Sequence, residues 1–327
     1  MKKIVSFCLI IVTIFLYSCS KKNSDYTTIG IGIISSHQAL LDISDGIIDE
    51  LNNSPYKFKF DIQNANNDIN TAAAIAHKFN SDVDIAVGIA TPMAIALANI
   101  IRNKPVIFSA VNNPVEAGLI ENINSGYKNI TGLSDEIPIK QHIEEFIKIY
   151  PIKKLGFIYT SSESNAVNMA KTTKEVCDSL GIEFIATTIT NSNEVKQATE
   201  SIIDKVDAIY TVTDNTLYSG INSLTEIAKK HRVPVFSSEY NSSKDSDILF
   251  SIGFDYYKIG NLTGKIILDI VKGKKPNEIP VITLNNNITK TLINLDMANL
   301  LSIDIKDDYI KNADIVIKNN KVITKEK

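Results

Sequence analysis

VDIAVGIATP, Val83 to Pro92, and VDAIYTVTDN, Val206 to Asn215, are two versions of one pattern. Each opens on Val-Asp, runs through β-branched and small apolar residues, and then stops on polar ones. A short run that is apolar throughout fits a strand buried on both faces, the normal state of a strand in a parallel sheet. Laid over one another, the two stretches put Thr91 where Asp214 falls. PVIFS, Pro105 to Ser109, and PVFSS, Pro234 to Ser238, form a second matching pair farther along each half. A repeated order of this kind predicts two similar halves rather than one large sheet.

The stretches between them alternate strand and helix. TTIGIGII (Thr27 to Ile34) precedes a helix through Leu40 to Leu51, YKFKFDIQ precedes INTAAAIAHKF, and KPVIFSAV leads into the loop NNPVEAG. In the second half KLGFIYT (Lys154 to Thr160), IEFIATTI and VPVFSSEY are spaced by helical patterns in the same way. Strands alternating with helices read as βαβ units and parallel sheets. The fold class is therefore α/β, with two doubly wound parallel-sheet lobes joined by a multi-strand hinge. The expected division is 27–132 with 251–275 for lobe 1 and 133–250 with 276–317 for lobe 2, changing over near NITGLSDEIP, Asn129 to Pro138. A long amphipathic helix, Tyr256 to Val271, should return to lobe 1.

Residues 1–19 read as a signal peptide. Lys2 and Lys3 precede an apolar run, Ile4 to Tyr17, shorter than the about 20 residues a membrane-spanning helix needs. LYSC, Leu16 to Cys19, resembles a lipobox and marks Cys19 as the lipidated residue, with 20–26 as a tether; an ordinary signal that happens to carry a cysteine is the other reading. Cys8 leaves with the signal, so a mature chain keeps only Cys177, on an amphipathic helix where a buried thiol fits better than a reactive one. The net charge of −3 gives no electrostatic footprint for nucleic acid. G-x-S-x-G, H-E-x-x-H and Cys-x-x-Cys are absent, and the four histidines (His37, His77, His142, His231) lie in separate elements. GIGIIS from Gly30 falls short of a dinucleotide fingerprint. No enzyme, metal or cofactor is expected.

Ligands of open α/β sheets bind beyond the carboxyl ends of the strands. Two facing lobes would share one cleft, lined by the polar residues that end each strand. A small zwitterion suits them. Helix N-terminal amides, with the hydroxyls of Ser36 and Thr91, would meet a carboxylate, and Asp214, with Glu239, would meet an ammonium. Thr91, followed by Pro92, also reads as an N-cap, and so does Asp214. His37 lies on a cleft loop. Tyr159, Tyr210, Phe108 or Tyr240 would stack on an apolar side chain, although strand alternation sends some of them into the core.

HQALLDISDG, IATP, PVIFSAVNNPVEAGLI, NITGLSD, ESNA, VDAIYTVTDN, PVFSSE and GFDYYKIGNLTG occur in that order over nearly all of the mature chain. In this it resembles the ABC transporter substrate-binding protein family that includes tryptophan- and tyrosine-binding lipoproteins. The resemblance implies a type I periplasmic-binding-protein fold that closes on an aromatic amino acid. It further implies extracytoplasmic, lipid-anchored delivery to a permease with its ATPase. His37 and Ala39 match the family's H-P-A-L-D loop, Thr91 its A-T-P, Pro114 its V-T-D-P, Ser164 and Asn165 its Ser-Asn loop, and Asp214 and Asn215 its T-D-N. Gln38, Leu41, Asn112 and Asn113 depart from the pattern, and loss of a carboxylate at Asn113 would alter a ligand or hinge contact. A receptor, sensory or adhesin lipoprotein on the same fold, or an importer of another solute, is the alternative.

Overall fold

The computed structural model describes residues 26–284 and 288–324 of the 327-residue chain. The signal segment 1–19 with Cys19, and the tether apart from Tyr26, lie outside the described residues. Lobe 1 opens with β1 (Thr27–Ile33), α1 (Gln38–Asn52), β2 (Phe58–Asn64), α2 (Ile69–Asp82), β3 (Ile85–Ile89), α3 (Thr91–Ile100), β4 (Val106–Ser109) and β5 (Ile130–Ser134). Lobe 2 follows with α4 (Ile139–Ile149), β6 (Lys154–Thr160), α5 (Ser164–Leu180), β7 (Glu183–Ile189), α6 (Val195–Ile202), β8 (Ala208–Thr211), α7 (Asn215–Ser219), α8 (Ile221–His231), β9 (Val235–Ser237) and β10 (Phe250–Phe254). The chain returns to lobe 1 for α9 (Tyr256–Val271) and β11 (Ile282–Thr283). It then re-enters lobe 2 for β12 (Thr289–Asn294), α10 (Leu295–Leu301), α11 (Asp307–Asn312), β13 (Ile315–Lys318) and β14 (Lys321–Thr324).

The first sheet has the order β11-β5-β4-β3-β1-β2 and its paired strands are parallel. The second has the order β14-β13-β12-β10-β9-β8-β6-β7, with antiparallel pairing at β10–β12 and β13–β14. Burial follows position. β3, in the middle of its sheet, is buried at every residue, whereas the edge strand β2 (FKFDIQN) is buried at none and alternates apolar with polar side chains. Each lobe has its own core, around Ile29, Ile31 and Phe79 in one and around Phe146, Phe157, Tyr210 and Phe236 in the other.

The repeat seen in the sequence is a repeat of bonding. Asp84 accepts the Thr28 N–H at 2.8 Å and so ties the approach to β3 to the start of β1. Asp207 does the same in lobe 2, accepting the N–H groups of Lys153 and Lys154 at 2.8 Å beside β6. Pro105 and Pro234 also correspond: their carbonyls accept from Ala86 and Ile209, each at 3.0 Å.

Two boundaries of the expected division are corrected. β10 does not belong with lobe 1, because it pairs with β9 and β12 inside the second sheet; the return to lobe 1 begins at α9. β11 does not belong with lobe 2, because Ile282 and Thr283 pair with Leu133 and Ser134 of β5 at the edge of the first sheet. The chain thus passes between lobes after β5, after β10 and after β11. The second and third passages touch, with the Asp255 N–H donating to the Ile288 carbonyl at 2.8 Å.

Helices α1 and α9 pack backbone to backbone. A Cβ at Gly46 would stand 2.2 Å from the Tyr257 carbonyl oxygen, and one at Gly260 would stand 2.2 Å from that of Ile43. Asn261 Nδ2 donates to the Gly46 carbonyl at 2.9 Å across the same contact. Since neither backbone can yield without moving a whole helix, Gly46→Ala should lower stability by about 1–3 kcal/mol. Urea denaturation checks this, and an unchanged midpoint would mean that the helices separate freely.

Candidate functional site

The loops at the carboxyl ends of both sheets meet around a narrow cavity of about 20 Å³. That is about the room one water needs, so a larger molecule is accommodated only as the lobes move apart. Lobe 1 contributes His37 from the β1–α1 turn and Leu40 from the first turn of α1, Ala90 and Thr91 after β3, and Ala110 and Asn112 after β4. Lobe 2 contributes Asn165 from α5, Thr213, Asn215 and Tyr218 around α7, and Glu239 after β9. Asp135 and Tyr256 come from the passages between lobes. Ala90 (φ 70°) and Ala110 (φ 55°) hold left-handed backbone at the ends of adjacent strands. Such strain in a residue with a Cβ costs on the order of 1–3 kcal/mol and persists where surrounding structure enforces it.

The abrupt stop on Thr213, Asp214 and Asn215 has a structural cause. Asp214 is wholly buried and accepts three donors: the Thr160 N–H at 2.6 Å, Thr160 Oγ1 at 2.7 Å and the Leu217 N–H at 2.9 Å. It therefore caps α7 and fastens the end of β6 to it. Burial, and then the charge of Glu163, push its carboxyl up to about 7. Asp214 stands behind the cavity wall, with both carboxyl oxygens bonded inside lobe 2, and so does not face the cavity as the expected ammonium partner would. Thr91 begins α3 and lines the cavity, but the N-cap position belongs to Ala90.

His37, Thr91, Asn165, Asn215 and Glu239 are thus brought together, while Ser36, Asn113, Ser164 and Asp214 do not line the cavity. Ser36 and Ser164 are exposed. Asn113 is turned onto its own loop, where Oδ1 accepts the Glu116 N–H at 3.1 Å. Glu239 accepts the Asn241 N–H at 2.5 Å and the Ser242 N–H at 2.9 Å, and burial raises its pKa. The expected aromatic partners also change. Phe108 and Tyr210 are core residues, and neither Tyr159 nor Tyr240 is on the wall. Tyr218 and Tyr256 are. The Tyr218 hydroxyl is engaged by Ser237 Oγ at 2.6 Å and Thr211 Oγ1 at 3.0 Å, so its ring, not its oxygen, is available.

Asp135 was legible only as part of NITGLSD. It is 3% exposed, and its Oδ1 is buried without a partner. Burial pushes its carboxyl up to about 7. Two further buried atoms of lining residues lack partners, Asn165 Oδ1 and His37 Nδ1. An unpaired buried polar atom costs about 1–3 kcal/mol. Three of them around one space make a site shaped for polar hydrogen.

The lobes are fastened across the cleft. His37 Nε2 lies 3.3 Å from Asn215 Oδ1, Asn67 Nδ2 donates to Ser219 Oγ at 2.9 Å, and Asn241 Nδ2 donates to Asp42 Oδ2. The His37 and Tyr218 rings sit 6.0 Å apart. Among the described residues no helix is long and apolar enough to cross a membrane, and no group of His, Cys, Asp and Glu could hold a metal ion. Cys177 is a buried free thiol, pushed up to about 11 by burial.

Two α/β lobes clasped around one shared cavity define a protein that holds a small molecule between them. A family model described as ABC transporter substrate binding protein matches residues 28–317, and the chain belongs to that family of solute-binding proteins. Substrate-binding proteins of ABC transporters serve outside the cytoplasm. The chain is 35% identical over 305 residues to a tyrosine-binding protein of Clostridioides difficile, covering 90% of this chain and 86% of that one. A solved structure from Streptococcus pneumonia in complex with L-Trp has a TM-score of 0.85 at 31% identity, covering 89% of this chain and 100% of the other. A ligand-free, open structure from Clostridium difficile, of a substrate binding protein with adhesive properties, has a TM-score of 0.65 at 30% identity, covering 86% and 97%. The two solved structures are about equally similar in sequence. The lobe arrangement here is thus nearer that of the L-Trp complex, and the fold is of the type I periplasmic-binding-protein kind.

Asp214→Ala would strand two backbone N–H groups and a hydroxyl inside lobe 2. The expected result is a stability loss of about 2 kcal/mol or more in denaturant unfolding. A variant as stable as the parent would show that Asp214 does not carry the β6–α7 junction.

Proposed function

We propose that this substrate-binding protein captures an amino acid with an aromatic side chain and delivers it to a membrane permease driven by an ATPase, with Cys19 carrying the lipid that holds it at the outer face of the cell membrane. The observation that carries the amino-acid reading is the pair of buried, unpartnered oxygens, Asp135 Oδ1 and Asn165 Oδ1, on residues that line the same cavity. Both are acceptors, one of them on a carboxyl group. An ammonium supplies the donors they lack, and charge-assisted bonds to it are the stronger kind. The N-terminal turn of α3 at Thr91, where backbone N–H groups have no helical partner, suits the carboxylate. The Tyr218 and Tyr256 rings and Leu40 supply apolar surface for a ring between these two ends. The tyrosine-binding relative and the L-Trp complex support the same class of ligand. Asp135 takes the role first expected of Asp214.

The ammonium pairing carries a pH signature. The Asp135 carboxyl, held at about 7 by burial, must lose its proton before it pairs with an ammonium. Affinity is therefore full above that pH and falls as the pH drops through it, by at most about tenfold per unit for one proton. Titration calorimetry with L-tyrosine and L-tryptophan checks both points. Asp135→Asn should weaken binding by on the order of tenfold or more and flatten this loss. An N-acetylated amino acid should give no heat. A cavity that takes the acetylated compound, or an Asp135→Asn variant with parental affinity, would remove the ammonium from the site.

A further inference from the structure

Glu163 lies just ahead of α5 and is 6% exposed. Four donors converge on its carboxylate: the N–H groups of Asn215 and Thr216 at 3.3 and 3.0 Å, Thr216 Oγ1 at 2.7 Å and Asn215 Nδ2 at 2.6 Å. A carboxylate only accepts, so it must face the NH2 end of the Asn215 amide. That turns Asn215 Oδ1 toward lobe 1, where it meets His37 Nε2 at 3.3 Å. An amide oxygen also only accepts, so the hydrogen of this bond sits on Nε2. In a neutral imidazole the other nitrogen is then a bare lone pair. That nitrogen, Nδ1, is buried, unpartnered and part of a residue that lines the cavity. Burial holds the ring neutral, bringing its pKa down to about 4.

Resting on the amino-acid reading above, we propose that Glu163, acting through Asn215, fixes His37 as its Nε2–H tautomer, so that Nδ1 accepts a hydrogen bond from the bound amino acid while Nε2 clasps the opposite lobe. One ring then reads the ligand with one nitrogen and the closed state with the other. Glu163 is a positioning residue that touches neither ligand nor His37. With Asp135 and Asn165 the cavity presents three acceptors, a set that selects ligands rich in donors. Closure and ligand are coupled because neither nitrogen can change role without the other changing too.

Long-range proton–nitrogen spectra of the protein with 15N-labelled histidine, recorded before and after adding L-tyrosine, read the tautomer directly; a His37→Asn variant assigns the signal. His37 should read as Nε2–H in the wild type. In Glu163→Gln the neutral amide at 163 either donates or accepts, Asn215 is free to turn, and His37 should become a mixture while affinity for L-tyrosine falls about tenfold. A merely structural Glu163 would weaken binding and leave the tautomer alone. A second comparison serves if Glu163→Gln fails to fold. Asn at 37 keeps an acceptor near the Nδ1 position and Gln keeps one near Nε2, so His37→Asn should bind L-tyrosine more tightly than His37→Gln. A wild-type ring that is Nδ1–H or mixed in both samples, an unchanged ring in Glu163→Gln, or the reverse order of the two His37 variants overturns the relay. If no amino acid gives heat with the wild type, the ligand reading falls on its own, and the spectra still decide the tautomer.

Discussion

The constraint on which everything else depends is that the chain passes between the lobes more than once. A single linker would let two α/β lobes drift apart. Passages after β5, β10 and β11, with Asp255 bonded to Ile288 where two of them meet, leave the lobes able to rotate but not to part. The carboxyl ends of both sheets are therefore held facing one another. A site divided between the two lobes becomes workable only under that restriction, since His37 and Asn215 stand 178 residues apart in the chain.

The site itself shows how buried polarity can be arranged for two different purposes. Asp214 and Glu163 are buried acids whose oxygens are all bonded by backbone, hydroxyl and amide donors, and they build the junction of β6, α5 and α7. Asp135 is an acid of equal burial with an oxygen left open. The first kind pins geometry; the second kind waits for a partner. Saturated groups supporting unsaturated ones is the arrangement by which a binding site is held in shape by neighbours that do not touch its ligand.

Much of the architecture was legible in the residues. The paired Val-Asp openings predicted a duplicated unit, and Asp84 and Asp207 prove to perform the same bond in each lobe. The unbroken apolar run of VDIAVGI fitted a strand buried on both faces, and β3 is buried at every residue. The site was only half legible. An acid at the end of a strand looks the same whether it caps a helix or waits for a ligand, and what separates them at Asp214 is Thr160, 54 residues away. Asp135 sits on a passage between lobes, where no periodicity marks it. The aromatic wall was misplaced for a similar reason: strand alternation sends Phe108 and Tyr210 inward, and the rings that reach the cavity come from short α7 and the first residue of α9. The edges of the lobes were missed because β11 is only two residues long and carries no pattern.

The close approach of Gly46 and Gly260 reaches beyond stability. Helix α1 begins one residue after His37, at the clasp, and α9 begins with Tyr256, at a passage between lobes. Packed backbone against backbone, the two helices tie the residue at the clasp to the passage between the lobes. Few soft side chains separate the two backbones, since the contact runs through Gly46 and Gly260. Any rotation of one lobe against the other must therefore move this packed pair as a unit.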